Sequence, residues 1–111
     1  MATELVVLSD IPFTEELVLA TALQVIPDGA GLSFRDGEIT QFVDSNADPV
    51  LTMFDTTVVH DPADARALLK DPPVSFALWT EFILPFTGST AGRPLIDALA
   101  RAVQGTVREK L

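Results

Sequence analysis

Residues 32–43, Leu-Ser-Phe-Arg-Asp-Gly-Glu-Ile-Thr-Gln-Phe-Val, contain the clearest local structural signal in this chain. Asp36-Gly37 separates two strand-like runs, and Asp-Gly is a preferred pair for a two-residue type I′ turn. Such a turn sets Phe34 opposite Ile39, with both side chains on one face. We therefore predict a β-hairpin here.

The residues before the hairpin predict a strand followed by a helix. Residues 4–8 form a short apolar run typical of a buried strand. Thr14 suits the N-cap of a helix that runs to about Ile26 and is stopped by Pro27-Asp28-Gly29. Few polar residues follow the first turn of this helix, so we expect it to be largely covered or to contribute to an interface.

The residues after the hairpin predict a loop over 44–49 and a strand from Val50 to Phe54, which continues past a bend near Asp55. Asp61-Pro62 is typical of a helix start, because Asp caps the helix and Pro tolerates its first position. We expect this short helix to end at about Leu69, before Asp71-Pro72-Pro73.

The C-terminal third predicts one long strand and one helix. Period-two alternation from Val74 to Phe86 indicates a strand. Its two predicted faces hold Val74, Phe76, Leu78, Phe82 and Leu84 on one side and Ser75, Ala77, Trp79, Glu81 and Ile83 on the other. A last helix begins near Arg93-Pro94, and its predicted apolar stripe comprises Ile96, Leu99, Val103 and Val107.

The predicted element order is β-α-β-β-β-short α-β-α within a single domain over residues 1–111. This order favours the α+β class, as a two-layer sandwich with helices packed on one face of a mostly antiparallel sheet. A ferredoxin-like or related layout is the expected architecture. The strand order does not follow from the sequence.

The charge distribution is uneven. The chain has 16 acidic and 7 basic residues, a net charge of −9. Residues 1–65 hold twelve acids and one base, Arg35, whereas residues 66–111 hold six bases and four acids. Such a field repels nucleic acids and anionic membranes and attracts a basic partner, although a large net charge also serves solubility alone.

Several classes of protein are disfavoured. There is no cysteine, which excludes disulfides, thiolate catalysis and cysteine-bound zinc. The chain begins without the basic segment of a secretory signal and has no stretch long enough to span a bilayer, so we expect a soluble cytoplasmic protein. No motif indicates a cofactor, and the residues around Asp44 lack the glycine and glutamate of a calcium-binding loop.

Trp79 and three acidic residues are the candidate partner-binding residues. Trp79 lies on the second predicted face of the long strand, which is either an exposed contact surface or a second core beneath the short helix. Asp44, Asp48 and Asp55 belong to the acidic half and could meet a basic surface. Catalytic residues remain unassigned.

These features favour a non-catalytic, acidic binding protein that acts through a basic protein partner, for example an inhibitor of the immunity-protein type. The alternative is a small dimeric α/β protein with an apolar pocket, either a ligand carrier or a cofactor-free enzyme. Its candidate residues are His60, Trp79 and Glu81, because a histidine near carboxylates can act as a general base. Self-association through the apolar first helix is a third hypothesis.

Overall fold

The computed structural model describes residues 3–73, 75–85 and 90–111. Over these residues it contains six strands and two α-helices. In chain order they are β1 (Thr3–Ser9), α1 (Glu15–Val25), β2 (Ala30–Phe34), β3 (Ile39–Val43), β4 (Pro49–Val58), β5 (Leu78–Leu84), α2 (Gly92–Ala102) and β6 (Thr106–Glu109). A 3₁₀ turn covers Arg35–Gly37 and a 3₁₀ helix covers Pro62–Ala67.

The six strands form one sheet in the order β2-β3-β4-β5-β1-β6, and every neighbouring pair is antiparallel. The predicted α+β class with an antiparallel sheet is thus confirmed. The ferredoxin-like layout is not confirmed by this strand order. No helix among the described residues is long and apolar enough to cross a membrane.

The main core lies between one face of the sheet and residues of both α-helices. Val18 of α1 and Leu99 of α2 belong to the same buried cluster as Leu5, Val7 and Phe82 of the central strands. Successive strand residues point to opposite faces, so Val6 and Leu8 lie on the other face. They form a second, smaller buried cluster there with Ala65, Leu69 and Phe76.

Three local predictions are confirmed. The Thr14 hydroxyl accepts a hydrogen bond from the Leu17 amide at 3.2 Å and caps α1. Phe34 pairs with Ile39 in the β2–β3 hairpin. Asp36 and Gly37 have the positive φ angles of a type I′ turn, 56° and 91°. Arg35 also has a positive φ angle, so it is not part of strand β2.

The long strand predicted over residues 74–86 is wrong in extent. Strand β5 spans only Leu78–Leu84, and Val74 and Phe86 lie outside the described residues. Phe76 does not share a face with Phe82, because it is buried in the second cluster instead. The alternation of apolar residues in the sequence extends beyond β5. Phe76 precedes this strand, however, and its orientation is set by burial beside the 3₁₀ helix.

The last helix is shorter than its periodicity predicts, and a sixth strand follows it. Gln104 is left-handed with φ 54°, and its amide donates to the Arg101 carbonyl. The Gly105 amide donates to the Ala100 carbonyl at 2.7 Å, which completes a Schellman C-cap. Val107 therefore lies in β6, opposite Val7 of β1, and not on the helix stripe.

The predicted short helix after Asp61 is present, but as a 3₁₀ helix. The Asp61 carboxylate accepts a hydrogen bond from the Ala63 amide at 3.0 Å, which confirms the predicted cap. The Asp64 amide donates to the Asp61 carbonyl and the Leu68 amide to the Ala65 carbonyl, an i to i+3 pattern. A segment this short favours the tighter helix type.

Candidate functional site

A β-bulge shapes the sheet face that carries Trp79 and Glu81. Met53 of β4 pairs with Phe82, whereas Thr56 pairs with Thr80, so Phe54 and Asp55 together oppose Glu81. The bulge explains the predicted bend near Asp55. Bulges redirect side chains and are frequent beside functional sites.

Trp79 lies on this face, near the start of β5. It is paired with Leu8 of β1 on one side and with Thr57 of β4 on the other. The indole packs against the second buried cluster, and it also lines an open groove. Trp79 is thus part of a second core and part of a concave surface, which combines the two alternatives that the sequence leaves open.

The 3₁₀ helix forms one wall of the groove. Ala65 and Leu69 are buried against Val6 and Leu8, and this packing holds the helix on the sheet. The same packing leaves Asp61, Asp64 and Leu68 along the groove. The opposite wall is the end of the β2–β3 hairpin, where Arg35 and Glu38 line the groove.

The groove has a volume of about 760 Å³ and combines an apolar floor with an acidic rim. The floor contains the apolar residues Ile39, Phe54, Val59 and Trp79. The rim contains five carboxylates, those of Glu38, Asp55, Asp61, Asp64 and Glu81. Among the residues that the structure describes, Arg35 is the only Lys or Arg that lines the groove, and exposed His60 lines it as well.

Glu81 is held by two donors at one end of the groove. Its Oε1 accepts from the Lys110 ammonium at 2.7 Å and from the Trp79 indole at 3.2 Å. Burial raises the pKa of Glu81, but the hydrogen bonds from Lys110 and Trp79 and the attraction of the ammonium outweigh it. The pKa of Glu81 is therefore lowered, and its carboxylate stays ionised at neutral pH.

We expect Glu81→Gln to reduce stability by less than about 1 kcal/mol, because the pair is partly exposed. The lowered folded-state pKa means that Glu81 stabilises the fold above its unfolded pKa of about 4.3. That stabilising contribution is lost as the pH falls through the pKa of Glu81 in the folded state. Urea unfolding at several pH values should show the variant and the wild type converging at acidic pH.

Lys110→Met is the matched control for this prediction, because it removes the ammonium and keeps the Glu81 carboxylate. In the Lys110→Met background, the effect of Glu81→Gln on the free energy of unfolding should depend less on pH than it does in the wild type. If the free energies of unfolding of the wild type and of Glu81→Gln differed by the same amount at acidic and at neutral pH, the role assigned to the Glu81–Lys110 pair would be contradicted.

The structure brings four of the candidate residues together and leaves two apart. His60, Trp79, Glu81 and Asp55 all line the groove. Asp44 and Asp48 lie instead in the turn between β3 and β4, where the Asp44 carboxylate accepts hydrogen bonds from the Asn46 and Asp48 amides. Asp44 and Asp48 therefore do not line the groove together with Asp55.

Sequence reasoning missed most of the apolar floor. Phe54 reaches the groove because the bulge follows Met53, and Leu68 reaches it because Leu69 is buried beneath the 3₁₀ helix. The pairing of Phe34 with Ile39 was the one available signal for an apolar surface on this face. Leu32 and Phe34 extend that surface toward β2 and are about half exposed, at 47% and 49%.

Over the described ranges, no group of three or more His, Asp or Glu side chains has an arrangement that could hold a metal ion. Comparisons with protein families, with curated proteins and with solved structures found no match to this chain.

Proposed function

We propose that this protein is a non-catalytic binding protein that accepts a basic protein partner in the groove beside Trp79. The observation behind the proposal is the combination of an aromatic and aliphatic floor with five rim carboxylates. More specifically, we propose an inhibitor of the immunity-protein type that acts in the cytoplasm on a basic target.

The two parts of the groove have different roles. Apolar floor residues such as Phe54 and Val59 provide the area whose removal from water drives association. The rim carboxylates attract cationic side chains, which speeds the encounter and disfavours acidic partners. A partner segment with aliphatic or aromatic anchors flanked by Lys or Arg satisfies both parts.

The alternative function uses the same groove as a pocket for a small ligand or for cofactor-free catalysis. His60, Trp79 and Glu81 do line one cavity, as that hypothesis requires. The cavity is open to solvent, however, and His60 is exposed. Small-molecule sites bury most of their ligand's surface, so the open shape favours a protein segment.

Trp79 provides the test, because it is the only tryptophan and the chain has no tyrosine. An amphipathic peptide of leucine and lysine should bind at low salt and shift Trp79 emission to shorter wavelength, as water leaves the indole. The affinity should fall as salt is added. Fluorescence titration measures both effects.

Two peptides of the same length separate the contributions to binding. A leucine and glutamate peptide should not bind, because the rim repels it, and a serine and lysine peptide should bind weakly, because it cannot fill the floor. Equal binding of the leucine and glutamate peptide would contradict the proposal. An absence of binding by the leucine and lysine peptide would contradict it as well.

A further inference from the structure

The sheet has a gap beside the second half of β4. Strand β4 is ten residues long, whereas its neighbour β3 has five, and the pairing of these two strands ends at Ile39 and Phe54. Beyond that point Thr56, Thr57 and Val58 pair with β5 on one side only. Within the described residues no strand occupies the other side of residues 56–58, where β3 would lie if it continued. We call this unoccupied side the gap.

Backbone hydrogen-bonding groups of β4 face the gap. The Val59 amide donates to the Ala77 carbonyl at 2.8 Å. In an antiparallel pair, every second residue directs its N–H and C=O groups toward the partner strand, so Thr57 also faces β5. The N–H and C=O groups of Thr56 and Val58 therefore point into the gap. Unpaired groups of this kind can accept another strand.

The gap adjoins a cavity on each face of the sheet. On one face lies the groove beside Trp79. On the other face, between α1 and the sheet, lies a cleft of about 370 Å³. Glu38, Phe54 and Asp55 line both the groove and the cleft. The two cavities therefore meet at the hairpin end, as expected where a sheet lacks part of a strand.

The cleft and the groove differ in chemistry. The groove has an apolar floor, whereas the cleft combines apolar residues such as Met53 with three hydroxyls and three carboxylates. These polar groups belong to Ser33, Thr40, Thr56, Glu15, Glu38 and Asp55. No Lys or Arg in the described part of the chain lines the cleft. Because successive residues of a strand point to opposite faces, a strand in the gap would present alternate side chains to these two environments.

We propose that the basic partner binds as a β-strand that fills the gap and pairs with Thr56 and Val58. This inference rests on the proposed function and adds the conformation of the partner segment. Its apolar residues face the Trp79 side, and its Lys or Arg residues, at alternate positions, face the carboxylates of the cleft. Strand addition of this kind draws affinity from main-chain hydrogen bonds and specificity from alternate side chains.

Asp55 restricts which strands can enter the gap. It is exposed and belongs to the bulge, and both a charge and a bulge protect a strand edge from indiscriminate pairing. An acidic strand is repelled by Asp55 and Glu38, whereas a cationic strand is attracted by them. Arg35 also lines the groove at the hairpin end, but the five rim carboxylates outnumber it.

Two short peptides of the same length and composition test the proposal. In the first, leucine and lysine alternate, and in the second the leucines recur at the helical spacing of three and four residues. We expect the alternating peptide to bind about tenfold more tightly in a Trp79 fluorescence titration at low salt, because only its strand aligns with both cavities. Equal or tighter binding of the second peptide would overturn the strand and leave the groove proposal standing. Binding of neither peptide would overturn both proposals.

Val58→Pro removes an amide that faces the gap and should weaken binding of the alternating peptide by about tenfold. The variant should still fold, because proline is tolerated where the N–H of a strand points away from its partner. Val58→Ala is the matched control, since it keeps the amide, and it should change the affinity by less than about twofold. Equal affinities of the two variants would contradict the pairing.

Amide hydrogen exchange of the wild type covers the case in which Val58→Pro does not fold. The alternating peptide should slow exchange of the Thr56 and Val58 amides, whereas the Thr57 amide, which already faces β5, should change less. A Trp79 response without slower exchange at Thr56 and Val58 would overturn the strand pairing while leaving the groove as the binding site.

Discussion

Reversing two rim charges should slow association of the leucine and lysine peptide by about 10- to 100-fold at low salt. The double variant Asp55→Lys with Asp64→Lys replaces two of the five rim carboxylates by ammonium groups, which removes the net attraction of the rim for a cationic peptide. Both residues are exposed, so we expect little change in folding stability. Stopped-flow fluorescence of Trp79 measures the association rate.

The control has the same charge change at another location. The double variant Asp10→Lys with Asp48→Lys also makes the net charge four units more positive. Asp10 and Asp48 are both exposed and lie outside the groove. This variant should associate nearly as fast as the wild type at moderate salt. If the two double variants slow association equally, net charge and not the groove attracts the peptide. Asp48 would then regain the partner-binding role that the sequence suggests.

Leu69→Ala should destabilise the protein by about 2–5 kcal/mol. Leu69 is 1% exposed and packs with Val6, Leu8, Ala65 and Phe76, so its truncation leaves a cavity under the 3₁₀ helix. Small domains have a total stability of about 5–15 kcal/mol, so this is a large fraction. The groove wall should also loosen, and the Trp79 response to peptide should weaken.

Leu68→Ala is the neighbouring control, because the same truncation occurs at a residue that is 54% exposed and lines the groove. It should change stability by less than about 0.5 kcal/mol while weakening peptide binding. Urea unfolding and fluorescence titration measure the two effects. Equal stability losses in the two variants would show that the second cluster does not anchor the wall.

Local signals in the sequence predicted the elements whose determinants lie close together in the chain. Thr14 and Asp61 are caps whose hydrogen bonds reach only three and two residues along the chain. The hairpin depends on Asp36-Gly37 and on the pairing of Phe34 with Ile39. Contacts over such short separations are encoded by neighbouring residues, so they can be predicted without the fold.

Longer-range determinants explain what the sequence did not reveal. Val103 and Val107 are four residues apart, a spacing that suits a helix, but the left-handed Gln104 between them ends α2. Pairing of Val107 with Val7, a hundred residues earlier, then creates β6. Helical periodicity alone cannot reveal this competition between a helix and a distant strand.

The groove also depends on distant contacts. Its residues come from the hairpin end, the β4 bulge, the 3₁₀ helix and β5, and their proximity depends on the offset that sets Phe54 and Asp55 against Glu81. Composition places Asp55 in the acidic half of the sequence, and the structure places it on the groove. Composition could not show that Asp44 is used within a turn instead.

The most direct test of the groove is an NMR titration of the ¹⁵N-labelled protein with the leucine and lysine peptide at low salt. We expect the largest chemical-shift changes at the Trp79 indole N–H and at the amides of Phe54, Asp55 and residues 61–68. Changes confined to α1 and β2, with the Trp79 indole unperturbed, would contradict the groove proposal.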